Sequence, residues 1–328
     1  MIRSLVAGVG AYLPARIVDN DELAGRLDTS DAWIRERTGI TRRHIAAEDE
    51  LTSDLAVRAA RCALERAGLR PGAIDAIVVA TSTPDHTFPA TATAVQHKLG
   101  TGAGIALDVQ AVCAGFVYAL TVADNFLRLG QARTALVIGA ETFSRLLDWN
   151  DRSTAVLFGD GAGAVVLRAE SQPGHLADRG LLATHLGADG RHYRDLYVDG
   201  GPSATRSTGH LRMNGREVFR HAVARLADSV QAVLDEAGLS VAELDLLVPH
   251  QANLRIIEAV GKRLGLPAER TVVPFDRHAN TPAASLPLAL DVALAEGRLG
   301  PGALVAVNAL GGGFAWGAGP LNWLRHSS

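Results

Sequence analysis

Residues 63–79, Ala-Leu-Glu-Arg-Ala-Gly-Leu-Arg-Pro-Gly-Ala-Ile-Asp-Ala-Ile-Val-Val, lie on residues 233–249, Val-Leu-Asp-Glu-Ala-Gly-Leu-Ser-Val-Ala-Glu-Leu-Asp-Leu-Leu-Val-Pro, at a shift of 170. Each stretch reads as a helix closed by a glycine (Gly68, Gly238), then a loop, then an apolar strand. Residues 94–100 resemble 259–265 at a shift of 165, and the strand 134–138 resembles 302–306, each followed by a glycine-rich segment. Three matches in the same order, at a shift of about half of the 328 residues, mean one α/β unit used twice, in residues 1–172 and 173–328. Alternating strands and helices of this kind make mostly parallel sheets covered on both faces, so two fused copies pack helix against helix.

Composition agrees with a folded chain of two such units. Hydrophobic residues make up 48% and charged residues 20%, with a formal net charge of -3. That balance excludes disorder and gives no global field for nucleic acid or an anionic membrane. Only Lys98 and Lys262 are lysines, so an anion site here is built from arginine. Two cysteines, Cys62 and Cys113, are too few for a disulfide framework and lack zinc spacing, which points to a reducing compartment. The uncharged run from Leu299 to Leu324 could span a bilayer by length. Its seven glycines, two prolines and two asparagines read instead as strand, glycine turn and strand.

Polar residues fall where strands end. Ile105, Leu107 and Val109 alternate as a strand, and from Cys113 onward Phe116, Leu120, Ala123 and Leu127 recur at helical spacing. Cys113 therefore sits at a strand-to-helix turn, where the positive end of a helix favours thiolate; a small buried hydrophobe is the plainer alternative. Cys62, inside an amphipathic helix, is read as core. His250 follows the apolar run 244–248, and Asn280 follows 272–275 and precedes a helix that Thr281-Pro282 could open. Ligands of α/β sheets bind outside the carboxyl ends of strands, so the three can share one pocket. Singly, His250 also reads as a satisfied core or cap histidine and Asn280 as a helix cap. The order Cys, His, Asn, spaced by 137 and 30 residues, occurs in papain-like hydrolases too, but the internal repeat counts against that class. Gly159-Asp160-Gly161-Ala162-Gly163 does not fit a dinucleotide fingerprint. Gly311-Gly312-Gly313 reads either as a plain turn or as unshielded N–H groups aimed at a developing oxyanion.

Five words of the sequence resemble the successive motifs of the β-ketoacyl-acyl carrier protein synthase III family. They are Asp108-Val109-Gln110-Ala111-Val112-Cys113-Ala114-Gly115-Phe116, Phe158-Gly159-Asp160-Gly161-Ala162-Gly163, His250-Gln251-Ala252-Asn253, Asn280-Thr281-Pro282-Ala283-Ala284-Ser285 and Gly311-Gly312-Gly313-Phe314-Ala315-Trp316-Gly317. The resemblance runs from Gly8-Val9-Gly10 to Trp316-Gly317. It implies the thiolase fold, a duplicated α/β unit in five α-β-α-β-α layers, and a homodimer. It also implies a cytoplasmic enzyme of fatty acid initiation that condenses an acyl-coenzyme A primer, acetyl-coenzyme A first, with malonyl-acyl carrier protein.

Roles carry over residue by residue. Cys113 would take the acyl group, with the N–H groups of Cys113 and Gly312 as oxyanion hole. His250 and Asn280 would donate to the thioester oxygen as it gains enolate charge. Thr29, Trp33, Arg37, Arg152 and Asn253 would bind coenzyme A, with Trp33 stacked on adenine. Arg216, Arg220 and Arg255 would meet the acidic carrier protein, and Phe88 would close the acyl pocket of the partner subunit. No metal or redox cofactor is implied, nor a nucleic acid or membrane partner. Arg220 stands where lysine is frequent, Ala279 where glycine often precedes the asparagine, and Val112 before the nucleophile is a further departure. A starter-unit synthase or acyltransferase of secondary metabolism is the nearest alternative, and a non-catalytic subunit of a condensing complex a more distant one.

Overall fold

The computed structural model describes residues 1–175 and 178–323; Leu324, the end of the uncharged run, lies outside them. Strands β1 (Ile2–Tyr12), β2 (Ala76–Ala80), β3 (Ile105–Val109), β4 (Thr134–Glu141) and β5 (Gly161–Ser171) form one sheet in the order β1-β5-β4-β2-β3. Strands β6 (Gly180–Leu181), β7 (His185–Ala188), β8 (Leu246–Pro249), β9 (Leu304–Gly311) and β10 (Ala315–Asn322) form the second. There β8, β9 and β10 are consecutive, and β6 and β7 share the far edge of β10. The central pairs β2·β3, β2·β4 and β8·β9 are parallel; the pairs outside them are antiparallel.

The principal helices are α1 (Asp31–Thr38), α2 (Thr52–Arg66), α3 (Thr91–Leu99), α4 (Gly115–Arg128), α5 (Gly215–Ala237), α6 (Leu254–Leu264) and α7 (Ser285–Ala295). Helices α4 and α7 lie between the sheets. Phe116, Leu120 and Leu127 of α4 and Leu286 and Leu290 of α7 are at most 2% exposed, in one cluster with Val78, Val137, Val248 and Val307 of both sheets. Burial of side chains this large contributes about 1.5–3 kcal/mol each, so the helix pair fixes the relation of the two halves. Helices α2 and α3 cover the outer face of the first sheet, and α5 and α6 that of the second. The result is five layers.

The repeat is visible in register. Ala76 of β2 pairs Ala135 of β4, and Leu246 of β8 pairs Val305 of β9; both positions are related by 170. The same shift relates the turn Val112–Ala114 and α4 to the turn Pro282–Ala284 and α7. By that register residue 134 answers to 304 and not to 302. Gly302 lies in the turn before β9, at φ +80°, and an apolar run alone does not mark where pairing begins. Two other boundaries also differ. Residues 272–275 are not a strand: Thr271 makes an isolated bridge to Leu247, and Phe275–His278 is a single helical turn. Helix α4 starts at Gly115, and Cys113 belongs to the preceding 3-10 turn.

Candidate active site

Cys113, His250 and Asn280 line one cavity of about 150 Å³, together with Phe143, Phe158, Leu196, Ile256 and Leu310. Each arrives at the end of a strand or strand-like segment. The backbone before the nucleophile turns through Val112 at φ +49°, a left-handed conformation rare for a β-branched residue. Asn280 is preceded by Ala279 at φ +57°, where again the Cβ is strained. The Asn280 N–H donates to the Leu157 carbonyl at 3.0 Å, and its carbonyl accepts from the Gly159 N–H at 3.0 Å. The word Phe158 to Gly163 is therefore structural. It clamps Asn280, and its Asp160 accepts from the Ser144 N–H, the Ser144 hydroxyl and the Ala46 N–H at 2.6–2.8 Å.

Burial governs the electrostatics. The Cys113 thiol is pushed up by burial and, second, by the neighbouring Glu141 carboxylate, while its own backbone N–H acts the other way. Burial thus opposes thiolate formation at Cys113, while the helix end before which it stands favours it. Burial also pulls His250 down to about 3, so its imidazole is neutral at physiological pH. Among the described residues, His250 Nε2 and Asn280 Oδ1 are buried without a partner. Unsatisfied polar atoms on a concave wall are groups reserved for a ligand.

The glycine segment behaves unlike the expectation in one respect. A Cβ on Gly311 would lie 2.7 Å from Cys113 N and 2.7 Å from the Ala111 carbonyl, so the close approach to the nucleophile is made by Gly311. A Cβ on Gly312 would instead meet the Leu196 carbonyl at 2.6 Å. Among the described residues the Gly312 N–H finds no partner in the chain, which leaves it free for an oxyanion.

Outside the cavity, Ser30 caps α1 by accepting from the Trp33 N–H at 3.2 Å and so sets the ring at the surface, half-buried. The Arg37 and Arg152 guanidinium carbons lie 5.2 and 4.9 Å from the Trp33 ring centroid, within cation–π range. Arg152 is held by the Asp28 carbonyl, and the Thr29 hydroxyl beside it is buried and unpartnered. Asn253 caps α6 through the Arg255 N–H at 2.9 Å and also lines the cavity. Arg216, Arg220 and Arg255 are exposed and adjoin the lining residues Gly215, Phe219 and Ile256 in sequence, with Arg220 paired to Glu217. Phe88 lies at 82% exposure and does not line the cavity of its own chain.

Three contributors escaped the sequence reading. Phe219, 41% exposed, lines the cavity from the first turns of α5. Glu141 is wholly buried at the end of β4, accepts from the Ser82 N–H at 3.1 and 3.2 Å and the Thr83 hydroxyl at 2.9 Å, and is pushed up to about 8 by burial. An acid ending an otherwise uncharged strand was the available signal. Ser285 bonds His250 directly, at 2.6 Å.

This is the frame of the thiolase-fold condensing enzymes, and here both copies of the repeat contribute to one cavity. The profile of 3-oxoacyl-[acyl-carrier-protein] synthase III matches residues 107–190, and that of its C-terminal part residues 234–323. A β-ketoacyl-[acyl-carrier-protein] synthase III of Paramagnetospirillum magneticum is 61% identical over 97% of this chain and 98% of its own length. One from a Bradyrhizobium species is 60% identical over 98% and 99%. The crystal structure of the synthase III of Pseudomonas aeruginosa superposes with a TM-score of 0.93 at 45% identity, covering 99% of this chain and all of the other. The priming β-ketosynthase of the R1128 polyketide pathway gives 0.91 at 37% identity, covering 98% and 96%. The chain belongs to the β-ketoacyl-[acyl-carrier-protein] synthase III family.

Proposed function

We propose that the chain condenses an acyl-coenzyme A primer, acetyl-coenzyme A first, with malonyl-acyl carrier protein, the step that opens fatty acid synthesis. One observation carries the reading: a buried thiol and two neutral groups with unpartnered atoms share one small, largely apolar cavity. Relatives near 60% identity bear the synthase III name, whereas the polyketide priming enzyme stands at 37%, so the secondary-metabolism alternative is not favoured.

In the first half-reaction Cys113 sulfur attacks the thioester carbon, and the thiol proton leaves with coenzyme A. The tetrahedral oxyanion is met by the N–H groups of Cys113 and Gly312. In the second, malonyl-acyl carrier protein loses carbon dioxide, and the enolate oxygen is held by the Asn280 amide and His250 imidazole N–H groups. Neutral donors suit this task, because a carboxylate would repel the developing charge. The carbanion then attacks acyl-Cys113, forms the new carbon–carbon bond and expels the sulfur, which regains a proton. No metal or redox cofactor takes part in these steps. Product formation from malonyl-acyl carrier protein and a panel of acyl-coenzyme A primers tests the reading; no β-ketoacyl product with any primer overturns it.

Coenzyme A is placed on Trp33, with Arg37 and Arg152 beside the ring and Thr29 and Asn253 along the way to the cavity. Base stacking on an aromatic residue is worth about 1–3 kcal/mol. Trp33→Ala is therefore expected to raise KM for acetyl-coenzyme A about tenfold or more while sparing kcat; an unchanged KM removes Trp33 from the site. The carrier protein is placed on Arg216, Arg220 and Arg255 around the mouth.

A second copy of the chain is the natural cover for β3. That strand has a hydrogen-bonded neighbour on one side only, and its five residues, Ile105, Leu107 and Val109 among them, are all half-buried. An apolar edge strand is an invitation to pair, and Phe88 stands exposed nearby in sequence, free to enter the other subunit. Sedimentation velocity is expected to show twice the 34.4 kDa chain mass; a monomer at micromolar concentration refutes the pairing. A thiol nucleophile and the two-cysteine composition support a reducing, cytoplasmic location, which cell fractionation checks.

A further inference from the structure

We propose that Ser285 is a positioning residue that sets the tautomer of His250, holding the proton on Nε2, where it faces the reacting thioester. The inference rests on the condensing reaction above and adds to it a residue outside the reacting groups.

Ser285 is the first residue of α7 and is 2% exposed, as is His250. Its hydroxyl oxygen lies 2.6 Å from His250 Nδ1. Among the described residues the hydroxyl has one other hydrogen-bond partner, the Gln251 N–H, at 3.5 Å. That neighbour only donates, so it occupies a lone pair on the oxygen and offers nothing to the hydroxyl proton. The one acceptor left for that proton is the imidazole Nδ1. A hydroxyl donating to Nδ1 requires that nitrogen to be bare, and in a neutral ring the single proton then sits on Nε2. Burial keeps the ring neutral, with His250 pulled down to about 3.

The reverse arrangement fails on two counts. With the proton on Nδ1, the imidazole and Gln251 would both donate to the serine oxygen, and the buried hydroxyl proton would face no acceptor. Nε2 would then present a lone pair to the enolate oxygen, and lone pair against anion repels. The more usual partners of a functional histidine, a carboxylate or a backbone carbonyl, accept from the ring and would fix that wrong form. A serine here chooses the form that the decarboxylation needs, and chooses it without adding charge to the cavity. The backbone is anchored as well: the His250 N–H donates to the Asn308 carbonyl at 2.8 Å, so the ring swings only about its own side-chain bonds.

Protein carrying ¹⁵N-labelled histidine, with His250 assigned by loss of its signals in His250→Gln, reads the tautomer directly. The wild type is expected to show the Nε2–H form near neutral pH. Ser285→Ala is expected to shift His250 toward the Nδ1–H form and to lower the condensation rate about tenfold or more. It keeps acetyl transfer from acetyl-coenzyme A to Cys113, seen by intact mass, which also reports that the variant folds. Ser285→Thr, which retains a hydroxyl, is expected to restore both the tautomer and the rate. An Nδ1–H form in the wild type, or a Ser285→Ala protein with unchanged tautomer and rate, overturns the proposal. A wild type that shows the Nε2–H form but makes no condensation product leaves the Ser285 geometry standing and removes the reaction assigned to it.

Discussion

Cys113→Ala takes up no acetyl group from acetyl-coenzyme A, while the wild-type chain gains one, by intact-protein mass spectrometry. The expectation follows from placement. Cys62 is the other thiol, and it lies half-buried in α2, away from the cavity. Cys113 stands where a thioester carbon can reach it, between Gly311 and the apolar wall. Condensation should fall with the adduct, on the order of the 10⁶-fold seen when the nucleophile of an acyl-enzyme is deleted. An alanine in place of this cysteine keeps the small buried volume, so loss of folding does not confuse the result. An adduct of equal yield in the variant would remove Cys113 from the mechanism.

Asn280→Ala separates the two half-reactions. The side-chain amide is assigned to the enolate, so self-acylation is expected to proceed at the wild-type rate while condensation drops about 10²–10³-fold, the scale for loss of one donor to a developing oxyanion. The backbone of residue 280 makes the bonds to Leu157 and Gly159, and truncation of the side chain leaves both intact. Single-turnover acylation and steady-state condensation, measured on one preparation, decide the matter. Equal loss of both would make Asn280 a structural residue.

The fold was legible in the sequence because its repeat falls on a glycine-capped helix and the strand after it, where helix ends and apolar runs mark themselves. Without such a mark, apolarity alone puts the strand near 302 two residues early: Gly302 lies in a turn and pairing starts at Leu304. Residues 272–275 look like a strand by apolarity, but Phe275 starts a helical turn beneath the Asn280 loop. The cavity-lining trio was legible because each residue follows an apolar run and sits in a distinctive word. Ser285 belongs to such a word but carries no role by spacing, and Glu141 and Phe219 belong to none. Their meaning lies in what faces them across the fold, which spacing along the chain does not encode. The close contact of Gly311 with Cys113 N is of the same kind, since three consecutive glycines look alike until their neighbours are known.

The shift of 170 that relates the halves carries Cys113 onto Ala283 and Ala80 onto His250. The mirror positions of Cys113 and His250 therefore hold alanine, and that of Asn280 is Gln110. Both methyl groups close on Gly115, where an added Cβ would lie 3.2 Å from Ala80 and 3.7 Å from Ala283. A chain built by doubling thus has a stoichiometry of one: saturation with acyl donor stops at a single acyl group, and neither half can stand in for an injured partner.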